Sequence, residues 1–426
     1  MREKFFIKTF GCKINQYDSA VLRGYFLSIG MEEAGSIEEA DHIVLNSCVV
    51  THKAERDARH FLNRIKRRKK PQAKVYFTGC GAGYMEVGGD FFVGDFNSLK
   101  KFLGIDGVLP EFSRSRPFVK VQEGCNFKCT YCVVPRVRGQ SRSRPIDDIL
   151  KEVRYHLENG SKEIVLTGTQ IGDWGKEWGF HLEDLLERIL DIGGDFRVRI
   201  SSISPIHVTD RLVDLFQNPG MAPHFHISLQ SGSPEILKRM KRPYTVRRYV
   251  ETVRKIHDLI EGVAIGTDII VGFPGEREED FRKTVKLVEE LPFAYVHVFE
   301  YSPRPGTEAY VYGDLPHTIK KERVHRLLEV VEKKRENFKR QNVGRKLRIL
   351  VEGVKNGLYV GTSGNYLRVL VKEERLEVGS FTDVIVKSPL PGDRDVEGVV
   401  LTGNEEDFPE PFPVPDEVNA GAGSAG

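Results

Sequence analysis

Apolar positions in the first hundred residues alternate between two spacings. KFFIKTF, DHIVLNS and AKVYFTG are apolar almost throughout, which predicts strands buried on both faces. Between them, NQYDSAVLRGYFLSIG puts Tyr17, Val21, Tyr25 and Ile29 on one helical face, and AERDARHFLNRIKRRKK predicts a helix ending in a basic run. This βαβαβ order predicts an α/β fold with a doubly wound parallel sheet, an N-terminal domain over residues 1–108.

From Phe118 to about Thr307 the alternation resumes with longer units. FVKVQEG, EIVLTGTQ, RVRISSISP, HFHISLQSG, AIGTDIIVGFPG and AYVHVFEYSP read as strands separated by amphipathic helices. Six such units predict a partial (βα)6 version of the eight-fold barrel over residues 109–340, with the polar tips TGTQ, SSISP, LQSG, TDIIVGFPGE and YSPRPGT at its carboxyl end. Gly272 and Gly275 in VGFPGE suit a tight turn. His224 and His226 alternate along their strand as packing or hydrogen-bonding residues. The charged stretch KKERVHRLLEVVEKKRENFKRQN predicts a long helix with Val324, Leu327, Leu328 and Val331 as its apolar stripe. Beyond Gly344, short strands with turn signals predict a small antiparallel β-barrel over 341–404, a type that often binds nucleic acid, and then a flexible tail over 405–426.

Composition narrows the function. With 64 Lys+Arg against 61 Asp+Glu, any polyanion-binding surface is local. No apolar run reaches the roughly 20 residues of a membrane span, and MREKFFIKTFGC is no signal peptide, so no membrane partner and a cytoplasmic location are expected. Six cysteines in 426 residues are too few for a disulfide scaffold and point to metal or redox chemistry. Cys12, Cys48 and Cys80 each follow a predicted strand, so a parallel sheet would bring all three to one carboxyl edge. Cys125, Cys129 and Cys132 form CxxxCxxC in a loop after the first barrel strand, which can hold three irons of a 4Fe–4S cubane and leave the fourth open. Zinc or inert thiols are the alternatives; zinc lacks a nearby fourth ligand, the next histidine being His156.

On these motifs the chain resembles the radical S-adenosylmethionine (SAM) enzymes, whose open iron chelates SAM. The likeness narrows to their methylthiotransferase branch through TFGCKINQYDS, LNSCVVT, TGC, RGQSRSRP, LQSGSPEILKRMKRPYT, TDIIVGFPGE and FEYSPRPGT, over residues 5 to about 403. The resemblance implies two 4Fe–4S clusters, the second on Cys12, Cys48 and Cys80, and a terminal RNA-binding TRAM domain. It implies SAM contacts by Tyr131 and Val133, near the adenine, and by Thr167, Gly168, Gln170, Gln230, Asp268 and Ile270. Ser228 stands where the family usually has proline.

GCKINQY and RGQSRSR are similar to the threonylcarbamoyladenosine enzymes, which implies methylthiolation at carbon 2 of that base beside the tRNA anticodon. Isopentenyladenosine in tRNA or a ribosomal protein is the alternative substrate, and a non-enzymatic iron–sulfur RNA-binding protein the alternative class. Arg136, Arg138, Arg142 and Arg144 would neutralise phosphates of the anticodon stem–loop, while a solvated charge run or pairs with Asp147 and Asp148 is the plainer reading. The basic end of RIKRRKK also complements its helix dipole. The implied partners are the tRNA, an electron donor such as flavodoxin or ferredoxin, and a sulfur source.

Overall fold

A computed structural model describes residues 2–89, 91–373 and 375–401; the expected tail lies outside the described residues. The chain divides into two compact units, one running to Asn337 and taking in Gly364–Tyr366, the other formed by Phe338–Ser363 and the chain from Leu367 on.

The three strands read from the sequence form the centre of a five-stranded sheet, in the order Glu32–Glu33, Lys4–Thr9, His42–Ser47, Lys74–Gly79 and Phe92–Val93. Every pair is parallel. Alternate side chains of one strand point to opposite faces. Thus Phe5, Val44 and Tyr76 pack with Tyr17, Val21, Leu22 and Phe26 of helix Lys13–Ser28. Ile43, Leu45, Val75 and Phe77 pack with Ala58, Leu62 and Ile65 of helix His52–Arg68 on the other face. The first helix therefore buries Leu22 and Phe26, while Ile29, expected on the stripe, is its exposed C-cap.

Phe118–Glu123, Glu163–Gly168 and Arg197–Ile200 make a parallel run, and His224–His226, Ala264–Val271 and Tyr295–Glu300 make a second. Parallel bridges Val198↔Met221 and Ile203↔Ile227 join the two, giving six strands in chain order with helices outside. This is the open barrel that the six units predict. The change of sheet at residues 108/109 is not a change of compact unit, because Phe118 and Val165 share a core with Phe5 and Tyr17.

Helix His317–Gln341 buries Leu327 and Val331 but leaves Leu328 exposed. Lys320 and Arg323 complete the buried face at helical spacing, and Leu328 lies one residue out of phase with it. The second unit is a closed five-stranded barrel around Ile349, Val351, Val369, Val384 and Val396. Its pairs are antiparallel except Arg368–Val371 with Asp395–Val400, which run parallel. Among the described residues no helix is long and apolar enough to cross a membrane.

Candidate functional site

The N-terminal strands end level with one another, with Thr9 beside Asn46 and Ser47 beside Gly79. Cys12, Cys48 and Cys80 therefore lie along one carboxyl edge, Cys12 exposed at the N-cap of its helix and the other two buried. Gly11, at φ +123°, makes the close approach: a Cβ there would stand 2.6 Å from Cys48 Cβ. Buried Asn46 holds the neighbouring turn by donating to Asn15 O at 2.8 Å and Ser19 Oγ at 3.0 Å.

Cys125, Cys129 and Cys132 sit half-buried on the loop after the first barrel strand. Thr130 pins that loop, its N–H donating to Met240 O at 3.1 Å and its hydroxyl to Arg239 O at 3.0 Å. Gly124, at φ +78°, lets the loop turn where a Cβ would lie 2.0 Å from Gln140 O.

The chemistry of the two trios suits a multi-iron cage. Each offers three soft thiol donors, the ligand set of an iron–sulfur cubane with one corner open. Burial pushes the Cys48 and Cys132 thiols up to about 12, so each loses its proton only in exchange for a compensating cation. An arginine N–H also stands beside each trio. Arg138 Nε donates to Cys80 Sγ at 3.2 Å, and Arg242 Nη1 to Cys129 Sγ at 3.1 Å. Arg242 is itself fixed by the Tyr244 hydroxyl at 2.9 Å. Sequence reasoning missed Arg242, since nothing local ties residue 242 to a cysteine loop over a hundred positions earlier.

The four arginines after the loop separate. Arg138, its side chain 6% exposed, pairs with Glu123 and with Asp18 at 3.2 Å. Arg144 pairs with Glu152 at 2.8 Å and donates to Lys120 O at 2.7 Å and Tyr17 Oη at 3.0 Å. The expectation of phosphate contacts is therefore withdrawn for Arg138, whose three guanidinium nitrogens all serve internal partners, while Arg144 commits its Nη1 internally and keeps its side chain 26% exposed. Arg136 and Arg142 are exposed.

At the barrel's carboxyl end, Thr167 and Gln170 are buried, Gly168 packs on Gln122, and the Gln170 N–H donates to Gln122 Oε1 at 2.8 Å. Tyr131 and Ile270 meet in one cluster with Phe273 and Tyr301. Gln230 holds a left-handed backbone, φ 73°, between bonds to Asp268 O and from Ile270 N–H. Val133 behaves otherwise: its side chain is buried in the N-terminal core with Leu45, Val49 and Met85, so it does not present itself to an adenine. Thr169 Oγ1, Ser201 Oγ and Ser204 Oγ are buried with no hydrogen-bond partner among the described residues. Three orphaned hydroxyls at two neighbouring strand tips fit a polar ligand bound there.

A relay of titratable groups continues inward. The Tyr295 hydroxyl lies 2.8 Å from His224 Nε2 and 3.1 Å from His226 Nδ1, and the Asp268 carboxylate lies 3.0 Å from His226 Nε2 and bonds His297 Nδ1 at 3.2 Å. Burial alone would push the Asp268 carboxyl up, but the His226 and His297 imidazoles hold it below the usual range. Ser228, the unexpected residue, also donates to Asp268, at 3.4 Å.

The chain is similar to known proteins over most of its length. Residues 119–288 match the Radical SAM superfamily and residues 4–87 the Uncharacterized protein family UPF0004. Threonylcarbamoyladenosine tRNA methylthiotransferase MtaB of Thermotoga maritima is 36% identical, covering 90% of this chain and 94% of its own. The MtaB protein of Aquifex aeolicus is 37% identical, over 90% of this chain and all of its own. A tRNA-2-methylthio-N(6)-dimethylallyladenosine synthase of Thermotoga petrophila is 33% identical, over 90% and 94%. In fold, the chain is similar to the radical SAM methyltransferase TsrM of Kitasatospora setae, at 14% identity and a TM-score of 0.52 over 73% of this chain and 77% of that one. With relatives of that identity aligned over nine-tenths of its length, the chain belongs to the radical SAM methylthiotransferase family, enzymes that use SAM and 4Fe–4S iron–sulfur chemistry.

Proposed function

We propose that the protein adds a methylthio group to carbon 2 of threonylcarbamoyladenosine beside the tRNA anticodon, in the cytoplasm. In this reading Cys125, Cys129 and Cys132 hold the SAM-binding 4Fe–4S cluster, and Cys12, Cys48 and Cys80 hold a second. The observation that carries it is the pair of three-thiol sets at two carboxyl sheet edges within one compact unit, each with an arginine donating to one sulfur. Three thiolates on a four-iron cage leave one corner for an exogenous ligand.

A 4Fe–4S cluster held by Cys125, Cys129 and Cys132 would supply the single electron for reductive cleavage of SAM. The chain's own residues orient and exclude. Thr167, Gly168, Gln170, Gln230 and Asp268, joined by the partnerless hydroxyls of Thr169, Ser201 and Ser204, hold the polar parts of SAM. Tyr131 and Ile270 wall its adenine. Exposed Arg136 and Arg142 meet RNA phosphates, which orient the duplex without reading its sequence. Electrons come from a flavodoxin- or ferredoxin-like donor and sulfur from an external source.

The threonylcarbamoyladenosine substrate is supported by the two relatives of that name at 36% and 37% identity. The dimethylallyladenosine relative at 33% favours the alternative base. Mass spectrometry of tRNA nucleosides decides between them. Cells lacking this protein should lose 2-methylthio-threonylcarbamoyladenosine and regain it on complementation. Unchanged levels, or loss of the dimethylallyl product instead, would overturn the substrate assignment.

A further inference from the structure

Arg138 closes the short helix Val134–Arg138 that leaves Cys132, yet its guanidinium lies against the N-terminal cysteine edge. There it belongs to a buried quartet. Lys120 Nζ is 2.7 Å from Asp18 and 3.3 Å from Glu123, and Arg138 binds the same two carboxylates through its Nη atoms. Asn15 accepts from Nη2 as well. Two cations balance two carboxylates, so the quartet is complete without the thiol. The Nε–H is left over, and it points at Cys80 Sγ, 3.2 Å away.

A donor to a cluster sulfur stabilises the more negative, reduced form, and hydrogen bonds of this kind are among the levers that set iron–sulfur potentials. We propose that Arg138 is a positioning residue that fixes Cys80 against the loop of the barrel trio and raises the reduction potential of the N-terminal cluster. The inference rests on the reading that Cys12, Cys48 and Cys80 hold a cluster. Arg138 thus ties one cluster site to the other through a single side chain. Its reach is fixed at one end by the five-residue helix after Cys132 and at the other by Asp18 and Asn15 of helix Lys13–Ser28.

The test uses the full-length chain with Cys125, Cys129 and Cys132 all replaced by Ala, so that only the N-terminal trio can hold iron. It is reconstituted without oxygen, its iron is measured, and its potential is titrated by electron paramagnetic resonance. Two variants are made in that background. Arg138→Met with Glu123→Gln removes a cation together with one of its carboxylates, and Lys120→Met with Glu123→Gln alters the same quartet while leaving the Nε–H donor in place. Four irons in both, with reduction about tenfold weaker in the Arg138 variant alone, is the expected result; for a one-electron couple that is about 59 mV lower. Arg138→Lys, which keeps the charge without the guanidinium fork, should fall in the same direction and covers the case where the Met variant does not fold. Equal potentials, or equal drops in the Arg138 and Lys120 variants, would reduce Arg138 to a structural ion pair and overturn the inference. A background chain that takes up no iron would instead overturn the two-cluster reading itself.

Discussion

Gln230 offers a test in which stability and ligand binding must move independently. Its backbone sits at φ 73°, locked by its N–H to Asp268 O at 2.8 Å and by the Ile270 N–H to its carbonyl at 2.9 Å. A side chain in this region costs about 1–2 kcal/mol, a cost glycine does not bear. Elsewhere the order is opposite, glycine being less stable than alanine by roughly 0.5–1 kcal/mol. Gln230→Gly should therefore be more stable than Gln230→Ala by up to about 1 kcal/mol, a reversal of sign that only the left-handed backbone produces. Both variants lose the amide expected on SAM, so both should bind it roughly two- to tenfold more weakly, the worth of one hydrogen bond. Urea midpoints of the cluster-free chain measure the first quantity, and equilibrium dialysis of SAM onto the reconstituted enzyme the second. An alanine variant more stable than the glycine one would refute the backbone argument. Unaltered SAM affinity in both would remove Gln230 from the site.

Cys12→Ala and Cys80→Ala should each lower iron from about eight to about four per chain while sparing reductive SAM cleavage, and full iron in both would contradict two clusters. Arg136→Ala and Arg142→Ala should each weaken tRNA binding and flatten the dependence of log K on log salt by about one; an unchanged slope would show that the side chain meets no phosphate. His156, buried beneath Phe112, is held down to about 4 by burial, against 6.5 in an unfolded chain. The unfolded state then binds the extra proton, so the stabilisation from neutral His156 is whole above pH 6.5 and is lost as pH falls toward 4, by up to about 3 kcal/mol. His156→Leu should remove that part of the acid sensitivity when urea midpoints at pH 7 and 4.5 are compared, and a variant as acid-sensitive as the parent would refute it.

Much of this arrangement is legible in the chain because periodicity and strand order are local properties. Apolar runs identify the three central strands of the first sheet, and parallel topology then sends Cys12, Cys48 and Cys80 to one edge whatever the sequence distance between them. The two-residue edge strands Glu32–Glu33 and Phe92–Val93 escape notice because two residues carry no period. Leu328 is misplaced because five apolar residues in eight do not fix the phase of a helix whose buried face also takes in Lys320 and Arg323. Val133 illustrates a different limit: it directly follows Cys132 of the barrel loop, yet its side chain fills a core whose other buried members lie between Ala34 and Met85.

The amino-acid sequence by itself determines the six thiols, the open barrel and the smaller sheet before it, since spacing and alternation act over a few residues at a time. What tertiary structure decides is which charges are spent. Arg136, Arg138, Arg142 and Arg144 look alike along the chain, and only the burial of Asp18, Glu123 and Glu152 separates them. A carboxylate taken out of water demands a cation, and it takes whichever guanidinium the fold brings within reach.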